Sequence, residues 1–245
     1  MPLRVEVRVA SNAFANKVFV AGYHGFGLVG YLTARHLVKA LGGRKIGYVV
    51  SPYMPQVVNA GPEGLTTPYE LYDVRSAIVF LPNVPLPQAD LIRIPYELAE
   101  ASVAGGAKLA LLVGGLDASY RKGSDTMRYA ATRTFLARYE DLVKGLQQLE
   151  EGLSIVGPLA AMLAYYEAHD FPSVAVLPYA DPNSIDPMAA KAAVEFISRV
   201  LQVEVDVSDL MRMAEEKVRL EREFEELRKR MGRESRTPSV PTFYV

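Results

Sequence analysis

The last three residues of the chain, Phe243, Tyr244 and Val245, bring three kinds of binding group together in one short segment. The apolar side chain can fill a pocket, the tyrosine offers a ring and a hydroxyl, and a terminal carboxylate can pair with a lysine or with backbone N–H groups. They follow a polar, proline-containing segment, Gly232 to Thr242, that gives them no apolar surface to fold against. We therefore interpret them as a ligand for another protein, carried on a flexible tail.

A second candidate site is the turn Gly25 to Gly30, which has the spacing G-x-G-x-x-G between a predicted strand and a predicted helix. This context is typical of dinucleotide binding, which also needs an acidic residue about 20 positions further on, at the end of the second strand. That strand ends at Val50 without an acid, and the first acid after the motif is Glu63. The glycines therefore form either a ligand site or, as the missing acid favours, a tight turn that allows close helix–sheet packing. The candidate ligand residues of this turn are His24, Gly25, Gly27 and Gly30.

Other residue types that carry chemistry are sparse. The chain has no cysteine, which removes thiol nucleophiles and thiolate metal ligands, and its three histidines are dispersed. No P-loop, nucleophile elbow or zinc-ligand spacing is present. We expect no catalytic residue, no metal site and no cofactor, and hence a protein that is not an enzyme. Gly114 and Gly115 follow a central strand, where a small-molecule pocket could form.

The composition describes a folded protein without a strong charge bias. Half of the 245 residues are hydrophobic, 22% are charged and the formal net charge is −1. These values exclude global disorder and argue against nucleic acid as a partner, which would favour a basic face. No apolar run reaches the length of a membrane span. We expect a cytoplasmic protein that binds neither nucleic acid nor membrane.

Strand-like and helix-like runs alternate along the chain, a pattern that predicts an α/β fold, here a three-layer α/β/α sandwich with a mostly parallel sheet. The predicted strands are Lys17 to Ala21, Ile46 to Val50, Ser76 to Leu81, Lys108 to Val113, Tyr129 to Arg133 and Val174 to Leu177. The predicted helices are Leu28 to Leu41, Pro95 to Ala104, Leu136 to Leu149, Pro158 to His169 and Pro187 to Leu201, the last with Asp186 as its N-cap.

A long charged helix follows this domain, beginning at Ser208 and ending near Met231. Its apolar residues repeat at heptad-like spacing, interrupted by Lys217. Such a narrow apolar stripe can pack on the helix's own domain or on a copy of itself, and both readings stay open. The predicted units are an α/β core at 1–205, a C-terminal protruding helix for packing or oligomerisation at 206–231, and a flexible tail at 232–245.

Several short motifs occur in order along the chain: Gly25 to Gly30, Ser51-Pro52-Tyr53-Met54-Pro55, Leu112-Val113-Gly114-Gly115, Ile155-Val156-Gly157-Pro158 and Asp186-Pro187-Met188-Ala189-Ala190-Lys191. Taken in this order, they resemble the archaeal and eukaryotic proteasome assembly chaperone family across about residues 15–230. The last three residues also resemble the hydrophobic-tyrosine-any motif with which proteasome activators dock onto the core particle. The resemblance implies a fold like that of the nucleoside phosphorylases without their catalytic residues.

The resemblance also implies a function: a homo-oligomer, tetrameric or pentameric, that binds the α subunits of the proteasome core particle without ATP. In that role Phe243 is the hydrophobic residue of the docking motif, Tyr244 its tyrosine and Val245 its carboxylate-bearing end. Two alternatives stay open. One is a ligase-like enzyme that binds a nucleotide or small molecule at Gly25 to Gly30, and the other is a purely structural assembly scaffold.

Overall fold

A computed structural model describes residues 4–61 and 64–234, with side chains described as far as residue 223 of the last helix. The strands are β1 (Glu6–Arg8), β2 (Val18–Gly22), β3 (Arg44–Val50), β4 (Asn59–Gly61), β5 (Gly64–Thr66), β6 (Tyr69–Val74), β7 (Ala77–Pro82), β8 (Leu109–Val113), β9 (Leu116–Asp117), β10 (Met127–Ala131), β11 (Gln147–Gln148) and β12 (Ser173–Ala180). The helices are α1 (Val29–Ala40), α2 (Arg93–Ala104), α3 (Arg133–Tyr139), α4 (Pro158–Ala168), α5 (Pro187–Leu201) and α6 (Ser208–Glu234).

One large sheet has the strand order β1-β3-β6-β7-β2-β8-β12-β10-β11, and β9 pairs with the end of β12. Its four central strands, β7, β2, β8 and β12, run parallel to one another. Antiparallel pairs join β1, β3, β6 and β7 on one flank, and β10 pairs antiparallel with β12 on the other. The short strands β4 and β5 form a separate hairpin. The continuous apolar runs that predicted central strands are buried throughout, as expected for strands covered on both faces.

Helices cover both faces of the sheet, and each face has its own core. Along β2, Val18 and Val20 pack in a core with α1, α3 and α5, whereas Phe19 and Ala21 pack in a core with α2 and α4. Successive side chains of a strand point to opposite faces, so one apolar strand serves both cores. The predicted three-layer α/β sandwich with its mostly parallel sheet is confirmed.

Strand β6, in the core, is not among the predicted strands, and in segment 127–151 the predicted elements themselves differ from the structure. The strand ends at Ala131, before the predicted end, because the Thr132 side chain accepts a hydrogen bond from the Phe135 backbone N–H and caps α3. The helix predicted from Leu136 to Leu149 is wrong, since α3 ends at Tyr139 and β11 follows. Gly145 has a φ of 86°, which an α-helix cannot accommodate. Propensity did not reveal this ending because it depends on β11 pairing with β10.

Helix α6 starts against the domain and then leaves it. Leu210 in its first turn is buried, and Asp209 forms an ion pair with Lys39 of α1. Further along, Lys217 donates a hydrogen bond to the Ser184 hydroxyl at 2.8 Å. Every residue from Val218 to Glu223 is exposed. The first three turns therefore pack on their own domain, and the helix continues past the predicted end at Met231.

Within the described ranges, none of the helices combines the length and the apolar content that crossing a membrane would require.

Candidate functional site

The glycine turn connects β2 to α1, and Gly27 occupies its tightest point. Gly27 has a φ of 62°, in the left-handed region that favours glycine. A Cβ atom at this position would lie 2.7 Å from the Cβ of Ala180 and 3.0 Å from that of Asp186. The Gly27 carbonyl accepts a 2.8 Å hydrogen bond from the Asp186 N–H, at the start of α5. Gly27 thus joins the turn to the end of β12 and the N-terminus of α5.

Gly30 lies at a close contact between α1 and the backbone of the sheet. A Cβ atom on Gly30 would be 2.5 Å from the Val113 carbonyl oxygen and 2.6 Å from the Tyr23 nitrogen. Around Gly25, by contrast, a Cβ atom would meet nothing within 4 Å. Packing therefore accounts for Gly27 and Gly30, as the structural interpretation of the motif predicted, but it does not account for Gly25. A binding role for these glycines stays a prediction.

His24 is half-buried beside the turn and stacks on Tyr31, with ring centroids 4.5 Å apart and an interplanar angle of 19°. Its buried Nδ1 atom has no hydrogen-bond partner among the residues that the structure describes. Burial lowers the pKa of His24 below its ordinary value of 6.5, so the ring is uncharged at neutral pH. A neutral imidazole can donate or accept a hydrogen bond but offers no positive charge to an anion.

His24 and Gly25 border a cavity of about 700 Å³, which we call the strand-end cavity. It lies at the carboxyl ends of β2 and β8, and Leu177 inside β12 also borders it. Its other walls come from the start of α4 and the loop before it. The lining residues are Tyr23, His24, Gly25, Phe26, Val113, Gly114, Gly115, Leu116, Asp117, Tyr120, Leu149, Gly152, Leu153, Ser154, Ile155, Val156, Pro158, Leu159 and Leu177.

This location is a switch point of the sheet topology. From β2 the chain passes through α1 on one face of the sheet and reaches β3, which lies toward the β1 edge. After β8 the chain continues toward the β11 edge, and α4, on the other face, leads into β12. Adjacent strands whose connections diverge in this way leave a crevice at their carboxyl ends, and open α/β sheets bind ligands there.

Of the predicted site residues, the structure brings His24 and Gly25 to the strand-end cavity, next to Gly114 and Gly115. Gly27 and Gly30 do not line it. Sequence reasoning did not identify the loop residues from Leu149 to Val156 as part of a site: Leu149 was assigned to the end of a predicted helix, and Ile155 and Val156 were noted only as part of a motif. The glycines at 152 and 157, both with positive φ, were the available signal of a loop.

The docking residues Phe243, Tyr244 and Val245 lie outside the described residues, so the structure leaves their predicted role untested. The description of the chain stops at Glu234, the last residue of α6. Metal ligands are also not grouped: within residues 4–61 and 64–234, no three His, Asp or Glu side chains come together as a metal site requires.

Comparisons with known proteins agree with the resemblance seen in the motifs. A protein of Methanocaldococcus jannaschii is 27% identical over 211 residues, which cover 81% of this chain and 79% of that protein. Pyrococcus furiosus PbaA, described as an archaeal homolog of proteasome-assembly chaperone, has a solved structure that is 26% identical, with a TM-score of 0.77. That match covers 94% of this chain and 97% of the other.

The fold is shared more widely than the sequence. Pyrococcus furiosus PbaB, described as an archaeal proteasome activator, is 22% identical with a TM-score of 0.76, over 91% of this chain and 99% of the other. The family model of the PAC2 family matches residues 19–227, from the first central strand into α6. The predicted resemblance is confirmed, and the chain belongs to the PAC2 family.

Proposed function

We propose that the protein binds the proteasome core particle in the cytoplasm, as an assembly chaperone or activator that works without ATP. The observation that carries this proposal is the 26% identity to Pyrococcus furiosus PbaA over 94% of the chain, within a shared family. PbaA is described as a homolog of proteasome-assembly chaperone. A relative of this extent argues for the same class of partner.

The docking element is the C-terminal Phe243-Tyr244-Val245 segment. The Phe243 side chain enters a pocket between neighbouring α subunits, the Val245 carboxylate pairs with a lysine there, and Tyr244 moves the adjacent loop toward the open gate. Helix α6 supports this arrangement, because it leaves the domain after Lys217 and its 27 residues extend about 40 Å. Eight residues separate Glu234 from Phe243 in the sequence, and a coil of that length would add roughly 16 Å of reach.

Several copies of the chain act together in this proposal. A three-residue ligand binds weakly by itself, and joining several in one oligomer strengthens binding by about two to four orders of magnitude. An exposed apolar groove between α5 and α6 supports self-association. Met188, Met211, Ala214 and Val218 line its floor. Its edges carry both signs of charge, on Glu215, Arg219, Arg222 and Glu223, so that two copies can be complementary.

The proposal includes no catalytic activity. A ligase-like enzyme would bind the phosphates of a nucleotide at the glycine turn, yet Gly27 and Gly30 pack against protein atoms within 3 Å of a Cβ position. The cavity nearby has no lysine or arginine among its described lining residues. These observations favour a binding protein over the nucleotide-dependent alternative.

The test measures stimulation of the peptidase activity of an archaeal proteasome core particle with a fluorogenic peptide. Deleting Phe243 to Val245, or adding one glycine after Val245 to displace the carboxylate, should reduce stimulation about tenfold or more. Ser239→Ala, in the same segment but outside the motif, is the matched control and should keep full stimulation. Circular dichroism and mass measurement should show that all three variants fold and associate as the parent does.

Undiminished stimulation after the deletion would contradict docking by these residues. The scaffold alternative gives a different pattern, namely binding to free α subunits with no stimulation of finished particles by the intact protein. Native mass spectrometry with separate α subunits and with complete particles distinguishes the two.

A further inference from the structure

The proposed docking by the C-terminal residues assigns no role to the strand-end cavity, yet the cavity has the properties of a ligand site. Its volume of about 700 Å³ lies within the range of about 300–1,000 Å³ that is typical of small-molecule sites. It occupies the crevice at the switch point between β2 and β8, the position at which open α/β sheets bind ligands. The residues that line the cavity therefore indicate what kind of ligand it can bind.

Apolar groups make up most of the cavity wall. Aliphatic side chains come from the strands, from the loop before α4 and from α4 itself, and Phe26 and Tyr120 also line the cavity. These two residues are close to half exposed, at 48% and 47%, so we place them on its solvent side. The aliphatic residues are Val113, Leu116, Leu149, Leu153, Ile155, Val156, Leu159 and Leu177. A wall of this kind favours a ligand that buries apolar surface.

The charged groups of the lining disfavour an anionic ligand. No lysine or arginine occurs among the described residues that line the cavity, and the His24 ring is uncharged at neutral pH. Asp117 adds a carboxylate, which accepts a 2.8 Å hydrogen bond from the Ser119 N–H. Pro158 at the first position of α4 removes one of the N–H donors with which a helix N-terminus binds anions. A phosphate would meet a negative charge here and no cation.

An extended peptide is also a poor fit for this position. Peptides that add to a sheet need a free strand edge. The strands that border the cavity are central, and β2, β8 and β12 each have a neighbour on both sides. A ligand must therefore enter past the strand ends, which suits a compact molecule.

We propose that the strand-end cavity binds an uncharged, largely apolar small molecule, with His24 as its polar partner and the rings of Phe26 and Tyr120 at its entrance. The ligand would be aromatic or aliphatic, with at most a few hydrogen-bonding groups. This assignment is independent of docking on the proteasome.

The test uses N-phenylnaphthylamine, an uncharged dye whose fluorescence rises in apolar sites, with the full-length protein. We expect saturable binding of one dye per chain. Leu153→Trp and Leu159→Trp each place an indole in the cavity and should weaken binding about tenfold or more. Leu220→Trp, on the exposed part of α6, is the control and should bind as the parent does. Thermal melting identifies a variant that fails to fold. If one of the two cavity variants does not fold, the other one still tests the proposal.

Competition experiments test the ligand class. AMP and ATP should not displace the dye, whereas neutral naphthalene derivatives should. Displacement by the nucleotides would overturn the assignment to uncharged molecules, and displacement by a peptide of residues 235–245 would make the cavity a peptide-docking surface instead. Absence of saturable dye binding, or binding that survives both tryptophan variants, would overturn the proposal as a whole.

Discussion

Two glycines of one motif, Gly25 and Gly30, have opposite environments. Gly30 faces the Val113 carbonyl and the Tyr23 backbone at distances that leave no room for a side chain, whereas a Cβ atom on Gly25 would lie in open space. The φ of Gly25 is −161°, extended backbone that any residue can adopt. A motif that appears uniform in sequence therefore mixes one position fixed by packing with one that packing leaves unconstrained.

Gly30→Ala and Gly25→Ala test this difference directly. Gly30→Ala should lower the free energy of unfolding by about 3 kcal/mol, because the new methyl group meets backbone atoms that cannot move aside. Gly25→Ala should change it by less than about 0.5 kcal/mol. Chemical denaturation measures both. Equal effects of the two substitutions would show that α1 does not pack on the sheet as described.

At the scale of elements, β6, one of the strands absent from the predicted set, carries a buried charge. Glu70 of β6 is fully buried and accepts hydrogen bonds from the Thr67 N–H at 2.9 Å, the Tyr72 hydroxyl at 2.7 Å and the Asn83 side chain at 3.0 Å. It also pairs with Lys45 of β3 at 3.2 Å. This network connects β6 to the neighbouring strand and to the turn after β7, which explains how a glutamate is accommodated inside the sheet.

The pH dependence of stability should report on this carboxylate. Burial alone would raise the pKa of Glu70, but the hydrogen bonds from Tyr72 and Thr67 and the nearby Lys45 together lower it below its ordinary value of 4.5. Its contribution to stability is therefore present above pH 4.5 and lost as the pH falls through the lowered pKa. Glu70→Gln should cost about 2 kcal/mol at neutral pH, since an amide group would face several donors.

The denaturation midpoint, followed from pH 7 to pH 3, gives the measurement. The difference in denaturation midpoint between the parent and Glu70→Gln should become smaller below pH 4.5. Glu100→Gln, on the exposed face of α2, should leave stability at neutral pH within about 0.5 kcal/mol of the parent. A difference in denaturation midpoint that stayed constant with pH would show that the Glu70 carboxylate is not the titrating group.

At the scale of the whole molecule, the residues of α6 contribute to two different surfaces. Leu210 belongs to the core, so the first turn contributes to the stability of the domain. Met211 and Val218 point instead into the exposed groove beside Met188 of α5. Helix α6 can therefore pack on its own domain with one stripe and offer another to a second copy, so the two sequence-based readings of this helix are compatible.

Charged substitutions in this groove should weaken self-association without unfolding the domain. Met211→Glu and Val218→Glu each place a carboxylate in the proposed interface and should raise the dissociation constant of the oligomer about tenfold or more. Ile92→Glu, at an exposed apolar position before α2, is the control and should leave it unchanged. Light scattering over a concentration series measures the mass. An unchanged mass for both groove variants would place the interface elsewhere.

The sequence by itself determined the α/β class, the buried central strands, the N-cap of α5 and the start of α6. These features follow from local periodicity and from residues such as Asp186, whose side chain caps the helix beginning at the next position. It also determined the family, through the order of its short motifs. Local patterns reveal such features because the interactions that create them span only a few residues.

Only the tertiary structure decided which residues meet at the strand ends. The loop from Leu149 to Val156 borders His24, more than 120 positions earlier in the chain, and Glu70 is stabilised by partners on other elements. The early end of α3 likewise depends on the pairing of β11 with β10. Contacts between distant segments do not appear in the hydrophobic periodicity of the sequence, because that periodicity specifies the helix or strand of each segment and not the segment on which it packs.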